Sequence, residues 1–516
     1  MRAARQKESY FGRCTRRSDY PKEASTALTQ PGQTRLARES AALLRAHEGK
    51  SGFHLLAQGI DSFLVRLELA ARAQRTLDLE YFIFQDDETG RLLVASLLDA
   101  ADRGVRVRVL VDDAEDVTKN PELIQLSAHP GIEVRVFNPF NLRGPLTVLR
   151  YAEFLLTATR VNYRMHNKVF VADNSVAVVG GRNVGDEYFE ASPDVGFADF
   201  DVAALGPVVA RISGTFDAYW NSDVAIPMKA LMAGPINPEA SARDAPAAPI
   251  REAAADTRFA GQLAAGNPLD GLLSDPEAFA YADAEVLYDT PDKRKAESGG
   301  EEGPLMRRRL ISAIEGANSE LLITSPYVVP GDGGMKLIES VRARGVGVRI
   351  ITNSLASTEM PIAHVGYRHY RKRLLEDGVD LCELRPTLEV PEVHAESDPP
   401  RKFALHGKVF VFDRKRVFIG SMNFDRRSLR VNTEMGLLIN SPELARQVAE
   451  HFDALARPAN CYVPVLAPPD ASGQRALSWR TEENGRSVTL DQEPHGDILR
   501  GLKTDVLSLL PIDDLL

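Results

Sequence analysis

The chain has 516 residues, 44% hydrophobic and 26% charged, with a net charge of −10: enough for two or three domains with real cores, and too acidic for a broad nucleic-acid surface, which favours a basic stripe. Three widely separated cysteines, Cys14, Cys382 and Cys461, argue against a disulfide framework or a zinc site and point to a reducing compartment. No run approaches the roughly 20 apolar residues of a membrane span, and no signal-peptide core lies near the start.

Residues 1–50 read as a disordered or weakly ordered basic tail. Arg2, Arg5, Lys7, Arg13, Arg16, Arg17 and Lys22 scatter there among small polar residues, a pattern that also suits attraction to an anionic membrane. Residues 51–227 read as an α/β domain. Its strand from Arg75, amphipathic helix over 90–103 and strand from Gly104 make a right-handed βαβ unit. Residues 140–164 mix apolar side chains with Arg143, Arg150, Arg160 and Arg164, as a packed apolar face or a lipid contact would. Then comes Met165-His166-Asn167-Lys168-Val169-Phe170, an apolar-rich strand that puts His166 and Lys168 on one face. Asp173-Asn174-Ser175 reads as a hairpin turn, followed by Gly180-Gly181-Arg182-Asn183 and a helix over Pro207–Trp220.

Residues 228–300, rich in proline and alanine, read as a linker or inserted lobe. Residues 301–457 repeat the first domain: a strand at Glu320, a helix near 335–344, a strand from Gly345, then His406-Gly407-Lys408 with Asp413, Gly420-Ser421-Met422-Asn423 and a helix over Pro442–Leu455. Residues 458–516 form a C-terminal extension in which Ile498, Leu499, Leu502, Val506, Leu509 and Leu510 recur at amphipathic-helix spacing. The expected architecture is two α/β domains related by a pseudo-twofold, with both motif strands at their interface, where clefts form.

A histidine-lysine-asparagine set repeated after about 240 residues equips one symmetric site, suited to in-line displacement at a phosphodiester. Lysine supplies a point charge for a phosphate oxygen, and asparagine a neutral donor for developing charge. Histidine, with an ordinary pKa near 6.5, serves as nucleophile or general acid. The charged motif residues His166, Lys168, Asp173, His406, Lys408 and Asp413 form the catalytic set. Within it, the odd spacing of Asp173 from His166 turns the aspartate to the other face, so Asp173 and Asp413 are assigned to shaping turns. Another carboxylate must then fix each imidazole tautomer; the candidates are Glu434 and either Asp199 or Asp201.

The doubled motif resembles that of the phospholipase D superfamily, His-x-Lys-x4-Asp-x6-Gly-[Gly/Ser]-x-Asn. Further stretches, among them Tyr81-Phe-Ile-Phe-Gln-Asp-Asp, Phe137-Asn-Pro-Phe, Tyr219-Trp-Asn-Ser, Phe424-Asp-Arg-Arg-Ser and Asn432-Thr-Glu-Met-Gly, are similar to bacterial cardiolipin synthases, most of all the C type. The resemblance implies two phospholipase D-type domains, each a mixed sheet flanked by helices, sharing one active site. It implies a metal-free ping-pong reaction without cofactor, in which His166 attacks phosphorus and His406 acts as acid and then base. Lys168, Lys408, Asn183, Asn423 and Ser421 would bind phosphate, and Glu434 and Asp199, the latter in preference to Asp201, would orient the histidines. His364 fits the family pattern as a substrate-pocket candidate, and equally as a hydrogen-bonded structural histidine.

The implied activity is a phosphatidyltransferase making cardiolipin from phosphatidylglycerol and a second phospholipid, phosphatidylglycerol or phosphatidylethanolamine. A hydrolase releasing phosphatidic acid, a nucleic-acid phosphodiesterase and a non-catalytic scaffold are the alternatives. Expected partners are phospholipids and a membrane surface touched peripherally, with no nucleic acid and an accessory protein left open. The expected location is the cytoplasmic face of a bacterial inner membrane, or the cytoplasm.

Overall fold

The computed structural model describes residues 22–142, 160–232, 268–293, 305–388 and 401–494, together with Glu153 and Thr157. The first sheet has nine strands in the order β10-β1-β8-β6-β5-β2-β3-β4-β9. In chain order these are β1 (Ser51–Leu56), β2 (Thr76–Tyr81), β3 (Arg106–Asp112), β4 (Ile132–Phe137), β5 (Val169–Ala172), β6 (Val176–Gly180), β8 (Asp201–Leu205), β9 (Ala225–Pro227) and β10 (Ala280–Ala282), with a separate strand β7 (Val195–Ala198). The second sheet has ten, in the order β11-β20-β18-β17-β12-β14-β15-β21-β22-β23. These are β11 (Ala284–Tyr288), β12 (Glu320–Thr324), β14 (Gly347–Asn353), β15 (Asp380–Leu384), β17 (Val409–Phe412), β18 (Arg416–Gly420), β20 (Met435–Ile439), β21 (Cys461–Leu466), β22 (Leu477–Glu483) and β23 (Arg486–Leu490). Outside the large sheets lie β13 (Val328–Val329), β16 (Lys402–Leu405) and β19 (Phe424–Asp425).

The run β8-β6-β5-β2-β3-β4 and the run β20-β18-β17-β12-β14-β15 have the same order, so the sequence repeat is a structural repeat. Each sheet is mixed: β2, β3 and β4 are parallel, as are β12, β14 and β15, while the motif strands pair antiparallel. Alternation along the motif strands sets the layers. Val169 and Val171 face the same core as Val409 and Val411, so the sheets pack face to face. Phe170 and Ala172 point to an outer core with the helices Gly59–Arg72, Glu88–Asp102 and Pro121–Ala128. Phe410 and Phe412 point to another, with Leu305–Glu315, Gly331–Ala343 and Pro361–Glu376.

Three expectations need correction. Residues 22–50 are not a disordered tail: a helix spans Arg35–Leu44, capped by Thr34, with Leu36 and Leu43 buried, and Ala27 N donates to Asp217 at 2.8 Å. The segment between the repeats, expected as a linker or inserted lobe, is at its end part of both domains, because β10 extends the first sheet and β11 the second. And Cys382 and Cys461, 79 residues apart, are disulfide-bonded with Cα atoms 5.3 Å apart. Adjacent antiparallel strands β15 and β21 bring them together, so separation in sequence misled about separation in space, and the bond runs against the expected reducing compartment. Residues 1–21, most of 143–159, residues 233–267 and 294–304, and the helical pattern from Ile498 lie outside the described residues.

The motif aspartates occupy the turns predicted for them. Asp173 and Asn174 have φ of 52° and 47°, and Asp413 and Arg414 have 56° and 51°. Asp173 Oδ1 accepts from the N–H groups of Arg75 and Thr76 at 2.8 and 2.9 Å, and Asp413 Oδ1 from those of Asn318, Ser319 and Glu320 at 3.0, 2.7 and 3.0 Å. Each carboxylate therefore ties its hairpin to the entry of the neighbouring strand. Partial burial pushes Asp413 up, but these N–H groups and the Ser319 hydroxyl outweigh it and hold it at about 2. A folded pKa below the unfolded value of about 3.9 contributes stability that is complete above that value and lost as pH falls toward 2. Asp413→Asn is accordingly expected to lower stability at neutral pH and to flatten the acid limb of the unfolding curve between about pH 4 and 2; an unchanged limb would contradict the assignment.

Candidate active site

The two halves meet through backbone pairing just before each histidine. β16 runs parallel to β7, with Leu405 opposite Ala198, and His406 N donates to Ala198 O at 2.9 Å. On the other side Met165 bridges Thr433 in parallel, and His166 N donates to Thr433 O at 2.9 Å. The residue after each partner is a carboxylate. His406 Nδ1 therefore lies 2.6 Å from Asp199 Oδ2, and His166 Nδ1 lies 2.9 Å from Glu434 Oε2. Each half lends its acid to the other half's imidazole, which leaves both Nε2 atoms for chemistry. Asp201, the sequence alternative, instead holds Arg66 at 2.8 Å and Ser62 at 2.7 Å in the first domain.

The acids are unlike because their neighbours are. A Cβ on Gly181 would sit 2.2 Å from Asp199 Oδ1, so the position facing the shorter acid has to be glycine. In the second motif Ser421 takes that place, and its Oγ donates to Glu434 Oε2 at 2.5 Å and accepts from Met435 N at 3.0 Å. The Ser421 hydroxyl, expected among the phosphate-binding groups, is engaged here with Glu434 and Met435. Asn183 is also engaged: it accepts from Ile83 N at 3.2 Å and donates to the Tyr188 hydroxyl at 2.9 Å. Asn423 Oδ1 is buried without a hydrogen-bond partner among the described residues.

Lys168 and Lys408 each donate to the carbonyl of the histidine two residues earlier, Lys168 at 2.6 Å. Burial lowers both ammonium groups, and each acts electrostatically on the other half's histidine. Burial, opposed by Glu434 and aided by Lys168, pulls His166 down to about 4, and burial with Lys408, opposed by Asp199, pulls His406 down to about 3. Burial pushes the two carboxyls up, but the histidines and lysines overcome it and hold Asp199 and Glu434 below their usual range. At neutral pH the site therefore contains neutral imidazoles against ionised acids. Aromatic rings wall it: Phe82 meets His166 edge-on at 5.0 Å, Tyr188 meets His406 edge-on at 5.0 Å, and Phe197 stacks on His406 at 5.2 Å.

Asp173 and Asp413 do not join this cluster, for their carboxylates are occupied at the hairpin turns. His364 is buried on the helix Pro361–Glu376, with Nε2 2.9 Å from Glu493 Oε1 beyond β23. That contact matches the structural alternative, and no contact among the described residues joins His364 to the motif histidines. The sequence reading missed a matched pair, Asp112 and Asn353, at the ends of β3 and β14. Met165 N donates to Asp112 Oδ2 at 2.8 Å, and Leu405 N donates to Asn353 Oδ1 at 2.7 Å, so each fixes the residue before a histidine. Their identical place in the repeated strand was the available signal. Among the described residues no cluster of His, Cys, Asp and Glu could hold a metal ion.

Because the acids act through the imidazoles, Glu434→Gln and Asp199→Asn are each expected to cut kcat by about a hundredfold or more, with a much smaller effect on KM. Asp201→Asn should chiefly lower the melting temperature. A Glu434→Gln variant with wild-type kcat would contradict the positioning role.

Comparison with known proteins agrees with the architecture. The family described as "Cardiolipin synthase, PLD-like domain" matches residues 67–220 and 310–456. The chain is 35% identical over 490 residues to cardiolipin synthase C of Escherichia coli (strain K12), covering 93% of this chain and 100% of that one. It is 25% identical over 403 residues to a cardiolipin synthase A of Pseudomonas fluorescens, covering 78% of this chain and 67% of the relative. The crystal structure of a phosphatidylserine synthase from Haemophilus influenzae shares the fold, with a TM-score of 0.54 at 13% identity over 82% of this chain and 92% of that one. Both motifs and both crossed carboxylates fall within the matched residues, and the chain belongs to the phospholipase D-like cardiolipin synthase family.

Proposed function

We propose that the chain transfers a phosphatidyl group to phosphatidylglycerol, forming cardiolipin through a phosphohistidine. The observation that carries this reading is the pair of crossed histidine–carboxylate contacts flanked by two buried lysines. His166 Nε2 attacks the donor phosphorus, and the bond from phosphorus to the head-group oxygen breaks. His406 gives that oxygen its proton. A phosphodiester anion between the lysines opposes the burial that depresses His406 and so favours its protonated form. In the second half-reaction the glycerol hydroxyl of phosphatidylglycerol attacks phosphorus, its proton passes to His406, and the P–N bond breaks. Glu434 and Asp199 hold the tautomers throughout. The rings of Phe82, Tyr188 and Phe197 restrict water, which favours transfer over hydrolysis.

The donor head group is proposed from a cavity of about 470 Å³ beside the first motif. Phe82, which touches His166, shares its wall with Asp86, Asp112, Glu115 and Asp116. Asp112 is paired with Arg164 and Asp116 with Lys119, whereas Asp86 and Glu115 form no ion pair among the described residues. Burial and the charge of Asp86 raise Glu115, a cost that an ammonium between them relieves. This favours phosphatidylethanolamine as donor, with ethanolamine leaving. The membrane contact is proposed to be peripheral; no helix among the described residues is long and apolar enough to cross a membrane.

The test is incubation of purified chain with chelator and vesicles of phosphatidylglycerol, with and without phosphatidylethanolamine, and identification of lipid products by mass. Cardiolipin is expected from wild type and not from His166→Ala. An Asp86→Asn/Glu115→Gln variant should show a KM for phosphatidylethanolamine raised about tenfold or more, and an unaltered KM for phosphatidylglycerol. Phosphatidic acid as sole product would overturn the transferase reading in favour of a hydrolase.

A further inference from the structure

A second cavity, of about 720 Å³, lies behind the second motif. Its walls come from the helices Leu305–Glu315, Gly331–Ala343 and Arg426–Arg430. Met422 and Phe424, which flank Asn423, contribute to the outer core on this side. None of His166, Lys168, His406 or Lys408 lines it, so it is distinct from the catalytic cluster while sharing a wall with the motif segment.

The lining has two chemistries. Half-buried Ile311, Leu337 and Leu429 form an apolar wall over Leu310, Ile314, Met422 and Phe424, which are buried in the outer core. Arg307, Lys336, Arg426 and Arg430 stand against two acids, Glu315 and Asp332. Asp332 is drawn toward Arg373, 3.3 Å away and outside the lining, while Lys336 and Arg430 are exposed and form no salt bridge among the described residues. The helix opens on Gly331-Asp332-Gly333-Gly334; a Cβ on Gly333 would meet nothing within 4 Å, whereas Arg426 packs against Gly331 and Pro330 against Gly334, so this end is open at Gly333 alone.

An apolar wall beside Lys336 and Arg430, which form no salt bridge among the described residues, calls for a ligand with a hydrocarbon chain and an anionic head. A free phosphate would leave that wall uncovered, and a neutral lipid would leave the cations unmatched. We propose that this cavity binds one anionic phospholipid, with an acyl chain along Ile311, Leu337 and Leu429 and the phosphate at Lys336 and Arg430. Such a lipid adds a hydrophobic anchor to electrostatic attraction, and those two signals together give stable peripheral attachment. The site does not rest on the catalytic reading.

The test uses the full chain carrying His166→Ala, so that lipid is not consumed whichever reaction the enzyme performs. After incubation with phosphatidylglycerol vesicles and removal of free lipid, retained lipid is counted by native mass spectrometry. The chain is expected to keep one more phosphatidylglycerol than a version that also carries Leu337→Trp, which fills the cavity; Ile311→Phe serves as a second filling variant if the first lowers the melting temperature. Lys336→Ala/Arg430→Ala should weaken phosphatidylglycerol retention about tenfold, and phosphatidylcholine should not be retained at this site. Equal phosphatidylglycerol counts with the cavity open and filled would overturn the proposal, as would equal retention of phosphatidylcholine.

Discussion

The structure turns on two short parallel contacts between the halves, β7 with β16 and Met165 with Thr433. Each contact ends at a histidine on one chain segment and a carboxylate on the other. Neither half can assemble a histidine with its orienting acid alone. The face-to-face core of Val169, Val171, Val409 and Val411 is what holds the two segments in register, so burial of apolar sheet faces is converted into placement of an imidazole. A one-residue slip in either contact would turn the carboxylate away from its histidine.

Balance of charge follows from that placement. Two buried lysines bring two positive charges into a space shut off from water, and Asp199 and Glu434 supply the two negative ones. Removing one member of such a set leaves a buried charge without compensation, which is costlier than the set itself. The balance also explains the difference between halves. Aspartate reaches His406 only because Gly181 leaves it room, and the longer glutamate accommodates Ser421, which adds a hydroxyl donor. The two imidazoles therefore sit in similar but unequal fields, a natural basis for dividing nucleophile from acid.

Much of this was legible in the chain. The helices Pro207–Trp220 and Pro442–Leu455 were readable in place and extent because proline starts each and apolar spacing fills it, and the two hairpin turns were readable from Asp173-Asn174 and the parity of the spacing. What the sequence did not disclose was long-range pairing. Periodicity places Asp199 and Glu434 near strand ends but carries no information on which histidine each reaches, since that depends on docking of the halves. The Cys382–Cys461 bond and the strands β10 and β11 were missed for the same reason: each joins segments far apart in the chain. Nor did the motif, which fixes a small residue at Ser421, disclose that its hydroxyl meets Glu434.

The crossing itself is the claim on which the account stands, and the Nδ1–H resonances of the two motif histidines, in protein labelled with ¹⁵N at histidine, report on it directly. Asp199→Asn is expected to move the resonance of His406 and leave that of His166 in place, and Glu434→Gln to do the reverse. Asp199→Asn moving His166 while sparing His406 would show that each acid serves its own half, and would contradict the shared site.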